Sequence, residues 1–199
     1  MLLSHFSEYA LEAGVDEVGR GCLAGPVVAA AVILPKDYIH STLTDSKKVP
    51  EKKRDLLAEE IKRDAIAWAI AEVDHKKIDE INILNASFLA MESAIRQLKE
   101  KPQFLLIDGN RFKTTLDIPY ECVVKGDSKF LSIAAASILA KTYRDNLMKE
   151  WHEKYPIYRW DKNKGYPTKD HRTGIEKEGT SPIHRLSFQL LSKQMELFF

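Results

Sequence analysis

Four acids stand beside glycines at the ends of short apolar runs. Asp16 and Glu17 precede Gly19-Arg20-Gly21, Asp108 precedes Gly109, and Asp127 follows Gly126. Adjacent carboxylates are unfavourable to bury unless a cation or hydrogen-bond donors compensate them. Mg²⁺ takes oxygen ligands and keeps part of its water shell, so a few carboxylates plus a substrate phosphate suit it. Two such ions about 4 Å apart activate water and stabilise the leaving 3′ oxygen of an in-line displacement. Asp16, Glu17, Asp108 and Asp127 are therefore the candidate catalytic and metal-binding set. Any one of them alone reads as a loop-end or capping residue, since Asp-Gly is a common turn pair. Their joint placement sets them apart, and they would titrate as a coupled group.

The elements that must position these acids can be read from periodicity. Residues 13–17 and 27–34 are apolar strands. Only about ten residues separate them, too few for a crossover helix, so they are expected to pair antiparallel. Consecutive strand residues point to opposite faces. Asp16 and Glu17 then share a site only if the strand ends there and the backbone turns toward Gly19. A helix is expected over 50–62 with Leu56, Leu57 and Ile61 facing inward, and a strand over 65–73. A second helix runs from Asp79 to about Glu100. The wholly apolar 104–107 reads as a central or parallel strand, 121–124 as another, and 129–151 as a long helix. After Trp151 the composition turns to Tyr, Trp, Lys, Pro and Gly, the mark of a C-terminal helical extension. The fold class is α/β, a layered mixed sheet flanked by helices with functional groups at strand ends. The expected organisation is one catalytic domain over 1–199, with its sheet core at about 12–150 and the extension at about 151–199.

Composition limits the partners. A net charge of +1 on 199 residues argues against a general polyanion binder, yet residues 141–185 hold eleven Lys and Arg against seven Asp and Glu. That imbalance allows a local basic surface. Cys22 and Cys122 have no metal-type spacing and read as small buried residues in a reducing compartment. No run reaches the length of a membrane helix, and residues 1–12 lack a signal-peptide core. The expectation is a cytoplasmic monomer. A dinucleotide fingerprint at the glycines is excluded, because Pro26 leads into a strand where that motif opens a helix.

Beyond these local readings, several segments together closely resemble bacterial ribonuclease HII. They are Asp16-Glu17-Val18-Gly19-Arg20-Gly21, Asp45-Ser46-Lys47, Asp108-Gly109-Asn110, Lys125-Gly126-Asp127-Ser128, the Ala-Ala-Ala-Ser-Ile-Leu-Ala-Lys run over 134–141, and Gly165-Tyr166-Pro167-Thr168. The resemblance spans about Ala13 to Phe188 and implies a ribonuclease H-like fold with Mg²⁺ or Mn²⁺ at Asp16, Glu17, Asp108 and Asp127. It implies hydrolysis of the RNA strand of RNA–DNA hybrids and incision 5′ to single ribonucleotides embedded in duplex DNA. It also implies that Gly19, Arg20 and Gly21 read the sugar 2′-OH while Tyr166 stacks on the following deoxyribose. Glycine's tolerance of close backbone approach suits that contact. Ribonuclease HIII generally carries Lys at the Arg20 position and a separate N-terminal domain, and only a dozen residues precede the first strand here. The rival of another class is a non-catalytic hybrid-binding protein.

The remaining candidates have two readings each. Lys47 is a phosphate contact or a solvated lysine. Asn82 and Asn85 bind the uncut DNA strand or cap a helix. His171 reads as structural rather than as a proton shuttle. At the C-terminus, Gln194, Met195, Leu197 and Phe198 are similar to peptides that enter the bacterial sliding clamp, or they pack the last segment onto the core.

Overall fold

The computed structural model describes residues 2–43, 46 and 49–191. Its centre is a five-stranded sheet in the order β3-β2-β1-β4-β5. Strand β1 (Glu12–Val18) pairs antiparallel with β2 (Val27–Ile33), from Ala13 opposite Ile33 to Val18 opposite Val28. On the far side of β2 lies antiparallel β3 (Ala67–Val73), while β4 (Phe104–Asp108) runs parallel to β1 and β5 (Tyr120–Val123) parallel to β4.

The sequence of β2, Val-Val-Ala-Ala-Ala-Val-Ile, is buried throughout because helices cover both faces of the sheet. Its odd-numbered residues pack against α2 (His75–Arg96), and its even-numbered residues pack against α1 (Glu51–Asp64) and α3 (Leu131–Lys154). Strand β3 sits at an edge and alternates, which leaves Trp68 37% exposed. Helix α3 can lie close over β1 because of Gly14. A Cβ there would fall 2.2 Å from the Ser132 carbonyl carbon.

Two helix expectations are corrected. In α1, Leu56 is 67% exposed, and the inward positions are Arg54, Leu57, Ala58 and Ile61. Arg54 replaces Leu56 because a buried partner awaits it: its Nη2 lies 2.6 Å from Asp145 Oδ2, while Lys141 Nζ lies 2.6 Å from Asp145 Oδ1. Helix α2 starts earlier than expected, at the Asp74 cap, and is interrupted at Asn82 (φ 65°, ψ 163°). The Asn82 Oδ1 accepts the Leu84 and Asn85 N–H groups at 3.0 and 3.1 Å and so caps the second half of α2.

The C-terminal part comprises the 3-10 turn Pro156–Tyr158, α4 (Trp160–Asn163) and α5 (Lys169–Glu178), followed by irregular chain. Trp160, fully buried, packs with Tyr158, Ile175 and Ile183 against Leu23, Ala24 and Met148. The extension thus covers the chain that leaves β1. Among the described residues, no helix is long and apolar enough to cross a membrane.

The Arg54–Asp145–Lys141 cluster yields a stability prediction. Asp145→Ala leaves the buried Arg54 and the half-buried Lys141 without their anion, and loss of a buried partner costs about 3–5 kcal/mol. Urea unfolding should show the midpoint falling accordingly.

Candidate active site

Strand β1 solves the opposite-face problem in an unexpected way. It does not end at Glu17 but continues, paired with β2, to Val18. Its pairing with β4 stops at Val15 opposite Ile107. Beyond that point the edge of β1 toward β4 is bare, and a cavity of about 500 Å³ wraps around it. Residues 16–21, Ser46, Asp108, Ser137, Lys141 and Tyr166 line it. Both Asp16 and Glu17 therefore reach one site from opposite faces of a regular strand. On the α2 side, Glu17, Arg20 and Asp108 also border a second cavity of about 290 Å³ with Ser87, Phe88 and Met91.

The local electrostatics are only partly compensated. Burial holds the Asp16 carboxyl well above the ordinary carboxylate range, and the charges of Glu17 and Asp108 add to the effect. Its Oδ1 accepts the Glu17 N–H at 2.7 Å, a partial offset. Burial likewise lifts Glu17 to about 7, although Arg20 works in the opposite direction. The Arg20 Nη1 is 3.3 Å from Glu17 Oε1, whereas the buried Glu17 Oε2 has no hydrogen-bond partner among the described residues. Such an orphaned carboxylate oxygen is costly.

Asp108 at the tip of β4 accepts the Gly126 N–H at 2.7 Å through Oδ1, which ties it to the 3-10 turn Gly126–Ser128. Asp127 lies buried on that turn, beside Asp108 but outside the lining of either cavity. Among the described residues, no three His, Cys, Asp or Glu side chains are gathered closely enough to hold a metal. Any cation would have to draw the acids together.

The glycine turn is held from beneath by two fully buried arginines. Arg144 of α3 donates to the carbonyls of Pro26 (2.9 Å), Ala24 (3.0 Å) and Lys164 (2.7 Å). Arg185 of the extension donates to the carbonyls of Gly25 (2.9 Å) and Arg20 (3.0 Å). Gly19 and Gly21 thereby line the cavity with their backbone in a fixed position. The Tyr166 turn joins the same assembly, since Gly165 (φ 87°) accepts the Leu23 N–H at 2.8 Å. Tyr166 is 37% exposed, with Lys141 Nζ 5.9 Å from its ring centre.

The cavity thus collects Asp16, Glu17, Asp108, Gly19, Arg20, Gly21 and Tyr166, all expected from sequence. It leaves out Asn82 and Asn85. Lys47, Gln194, Met195, Leu197 and Phe198 lie outside the described residues. Four lining residues had been given no role from sequence: Val18, Ser46, Ser137 and Lys141. Ser46 and Ser137 are 2.9 Å apart through their hydroxyls. Ser137 and Lys141 are spaced i,i+4, so the helical run that contains them already placed both on one face.

The mixed sheet in the order β3-β2-β1-β4-β5, with helices on both faces, defines a fold of the ribonuclease H class. The chain superposes on ribonuclease H2 from Pyrococcus horikoshii OT3 with a TM-score of 0.76 at 24% identity, covering 90% of this chain and 94% of that one. It superposes on Bst-RNase HIII, solved in complex with Mn²⁺, with a TM-score of 0.72 at 19% identity, covering 90% of this chain and 67% of that one. The family described as Ribonuclease HII matches residues 13–191. Ribonuclease HII of Bacteroides fragilis is 60% identical over 199 residues, covering 100% of this chain and 99% of the relative. That of Cytophaga hutchinsonii is 56% identical over 198 residues, covering 99% and 98%. The chain belongs to the ribonuclease HII family. It is an endonucleolytic hydrolase acting on RNA–DNA hybrids.

Two glycines test the seating of the turn. Gly19 has φ 95°, and a Cβ there would fall 2.2 Å from Arg144 Nε, whereas Gly109 has φ 115° but open space around it. Gly109→Ala should cost only the strain of a left-handed residue, about 1–2 kcal/mol. Gly19→Ala adds overpacking of about 1–3 kcal/mol. Thermal melting of the two variants should rank them in that order.

Proposed function

We propose that this chain cuts on the 5′ side of ribonucleotides, including single ones embedded in duplex DNA, and leaves 5′-phosphate and 3′-hydroxyl ends. We propose further that it uses a pair of Mg²⁺ or Mn²⁺ ions and that residues 1–199 act as one catalytic unit. The observation that carries this reading is the sharing of one cavity by the acids and the sugar-reading surface. Only nucleic acid with a 2′-OH at the cut offers a partner to both.

The donor set fits a divalent cation. It is made of hard oxygen ligands, two of its acids are pushed toward protonation by burial, and Glu17 Oε2 has no hydrogen-bond partner among the described residues. Asp16, Glu17 and Asp108 would hold the ions, with Asp127 joining from the adjacent turn. When bound, the ions supply charge neutralisation and an activated water. The protein's own contribution is orientation. Lys141, held by Asp145, presents its ammonium within the cavity to a phosphate. The carbonyls and amides of Gly19 to Gly21 meet the 2′-OH, and Tyr166 provides a flat face for the next sugar.

The Archaeoglobus fulgidus ribonuclease HII has been solved in complex with PCNA, and its chain superposes here with a TM-score of 0.72 at 24% identity, covering 94% of this chain and all of that one. That complex supports a clamp-binding role for Gln194, Met195, Leu197 and Phe198.

The deciding experiment compares a continuous hybrid with a DNA duplex bearing one ribonucleotide, each with and without Mg²⁺ or Mn²⁺. Asp16→Asn and Asp108→Asn should each lower kcat/KM by about 10³-fold or more at unchanged melting temperature. Tyr166→Ala should lower the ratio of single-ribonucleotide to continuous-hybrid kcat/KM by about tenfold. Wild-type protein that binds both duplexes and cuts neither would establish the non-catalytic alternative.

Metal binding should also depend on pH in a definite sense. Burial raises Glu17 to about 7, so its carboxyl is partly protonated near neutrality, and burial shifts Asp16 in the same direction. A cation favours the ionised forms, so its affinity should rise with pH toward about 7 and level off above it. Mn²⁺ calorimetry in buffers of different ionisation enthalpy should find protons released at about pH 6 and few at about pH 8. Equal release at both would contradict the assignment.

A further inference from the structure

Two fully buried histidines meet beneath the Tyr166 turn, and the cleavage chemistry makes no use of them. His171 of α5 and His184 of the extension are 0% and 1% exposed, with their Nε2 atoms 3.1 Å apart. The surrounding donors fix which nitrogen carries each proton. Trp160 Nε1–H donates to His171 Nε2 at 3.0 Å, so that nitrogen is an acceptor. The proton of His171 is therefore on Nδ1, which lies 3.0 Å from the Tyr166 carbonyl and donates to it. On His184, Nδ1 accepts the Ser181 N–H at 2.8 Å and faces the Ser181 hydroxyl at 2.8 Å. Its proton then sits on Nε2 and points at His171. The donors define one arrangement: two neutral rings with their protons directed along the chain Ser181, His184, His171, Tyr166, the single lone pair of His171 Nε2 being shared by Trp160 Nε1–H and His184 Nε2–H. Burial agrees with neutrality, holding His171 below its ordinary value and His184 at about 4.

Both ends of this chain act on the substrate-reading surface. At one end, the Tyr166 carbonyl receives His171 Nδ1–H and the Thr168 N–H (2.8 Å) together, while the Tyr166 N–H is bound to Asn163 O at 2.9 Å. The Tyr166 backbone is thus fastened on both sides of the ring that lines the cavity. At the other end, His184 precedes Arg185, whose guanidinium holds the carbonyls of Arg20 and Gly25.

We propose that the buried His171–His184 pair is a positioning device for substrate recognition. It fixes Tyr166 directly and, through the adjoining Arg185, sets the Gly19 to Gly21 turn at the matching distance. The proposal rests on the reading of Tyr166 as the face that meets the sugar, so the test separates the two.

Two isosteric substitutions divide the ring's functions. His171→Gln keeps an acceptor at the Nε2 position for Trp160 and His184 but removes the donor to Tyr166. His171→Asn keeps a donor at the Nδ1 position but leaves Trp160 and His184 without their acceptor. His171→Gln should melt near the wild-type temperature and lose about tenfold in the ratio of single-ribonucleotide to continuous-hybrid kcat/KM, with the loss in KM for the former. His171→Asn should melt lower and keep the ratio. Selectivity that follows stability across the two variants, or a His171→Gln enzyme with the wild-type ratio, would reduce the pair to core packing. If Tyr166→Ala keeps the wild-type ratio, the reading of Tyr166 falls and the proposal with it. If Tyr166→Ala loses the ratio and His171→Gln does not, the proposal alone falls. Nitrogen-15 spectra of the wild-type rings give a test free of mutation. His171 protonated on Nδ1 and His184 on Nε2 are expected, and the opposite tautomer of either would overturn the scheme.

Discussion

Repulsion between carboxylates that have nowhere to go governs the active edge of this molecule. Asp16 and Glu17 belong to a strand whose other edge is zipped to β2 through Val18, so neither can swing away without breaking the sheet. The fold supplies only partial relief. One carboxylate takes a backbone N–H from its neighbour, another pairs with a half-exposed arginine, and Asp108 takes a single amide from the next turn. A protein built for stability alone would replace these acids with apolar residues. The unspent electrostatic potential is what a cation can use, and the rigidity of β1 is what keeps it from being dissipated.

The second constraint is steric and lies under the glycine turn. A loop of small residues would ordinarily be the most mobile part of such a fold. Here Arg144 and Arg185 anchor its carbonyls from below, so the upper surface stays free for a ligand while the lower surface behaves as core. Guanidinium suits the task because its donors lie in one plane and fan outward to several acceptors. The same logic recurs one layer down, where Trp160 and the histidine pair hold the neighbouring turn by the backbone and leave its ring uncovered.

Much of this was legible in the residues because it depends on short-range chemistry. Acids next to glycines at strand ends, the apolar β2 and the parallel character of 104–107 are local facts. The failures were all matters of a distant partner. Asp16 and Glu17 share a cavity because β4 stops pairing early, and nothing within β1 records that. Leu56 looked like a core residue until Arg54 found Asp145, 91 positions away. His171 had no visible companion because Trp160 and His184 reach it only after the extension has folded. Asn82 carried its capping role in its residue type, whereas the interruption of α2 at that position did not show in the apolar pattern.

The Arg185 contacts link residues 160 and 165 positions apart, nearly the two ends of the chain. Such closures are entropically late events, and synthesis runs from the N-terminus. On the ribosome, the sheet with its acids can form while the clasp that seats the glycine turn has yet to be made. The glycine turn is therefore seated only after Arg185 has emerged. A chain stalled before Arg185 would hold the acids of β1 and β4 without the guanidinium that seats the carbonyls of Arg20 and Gly25.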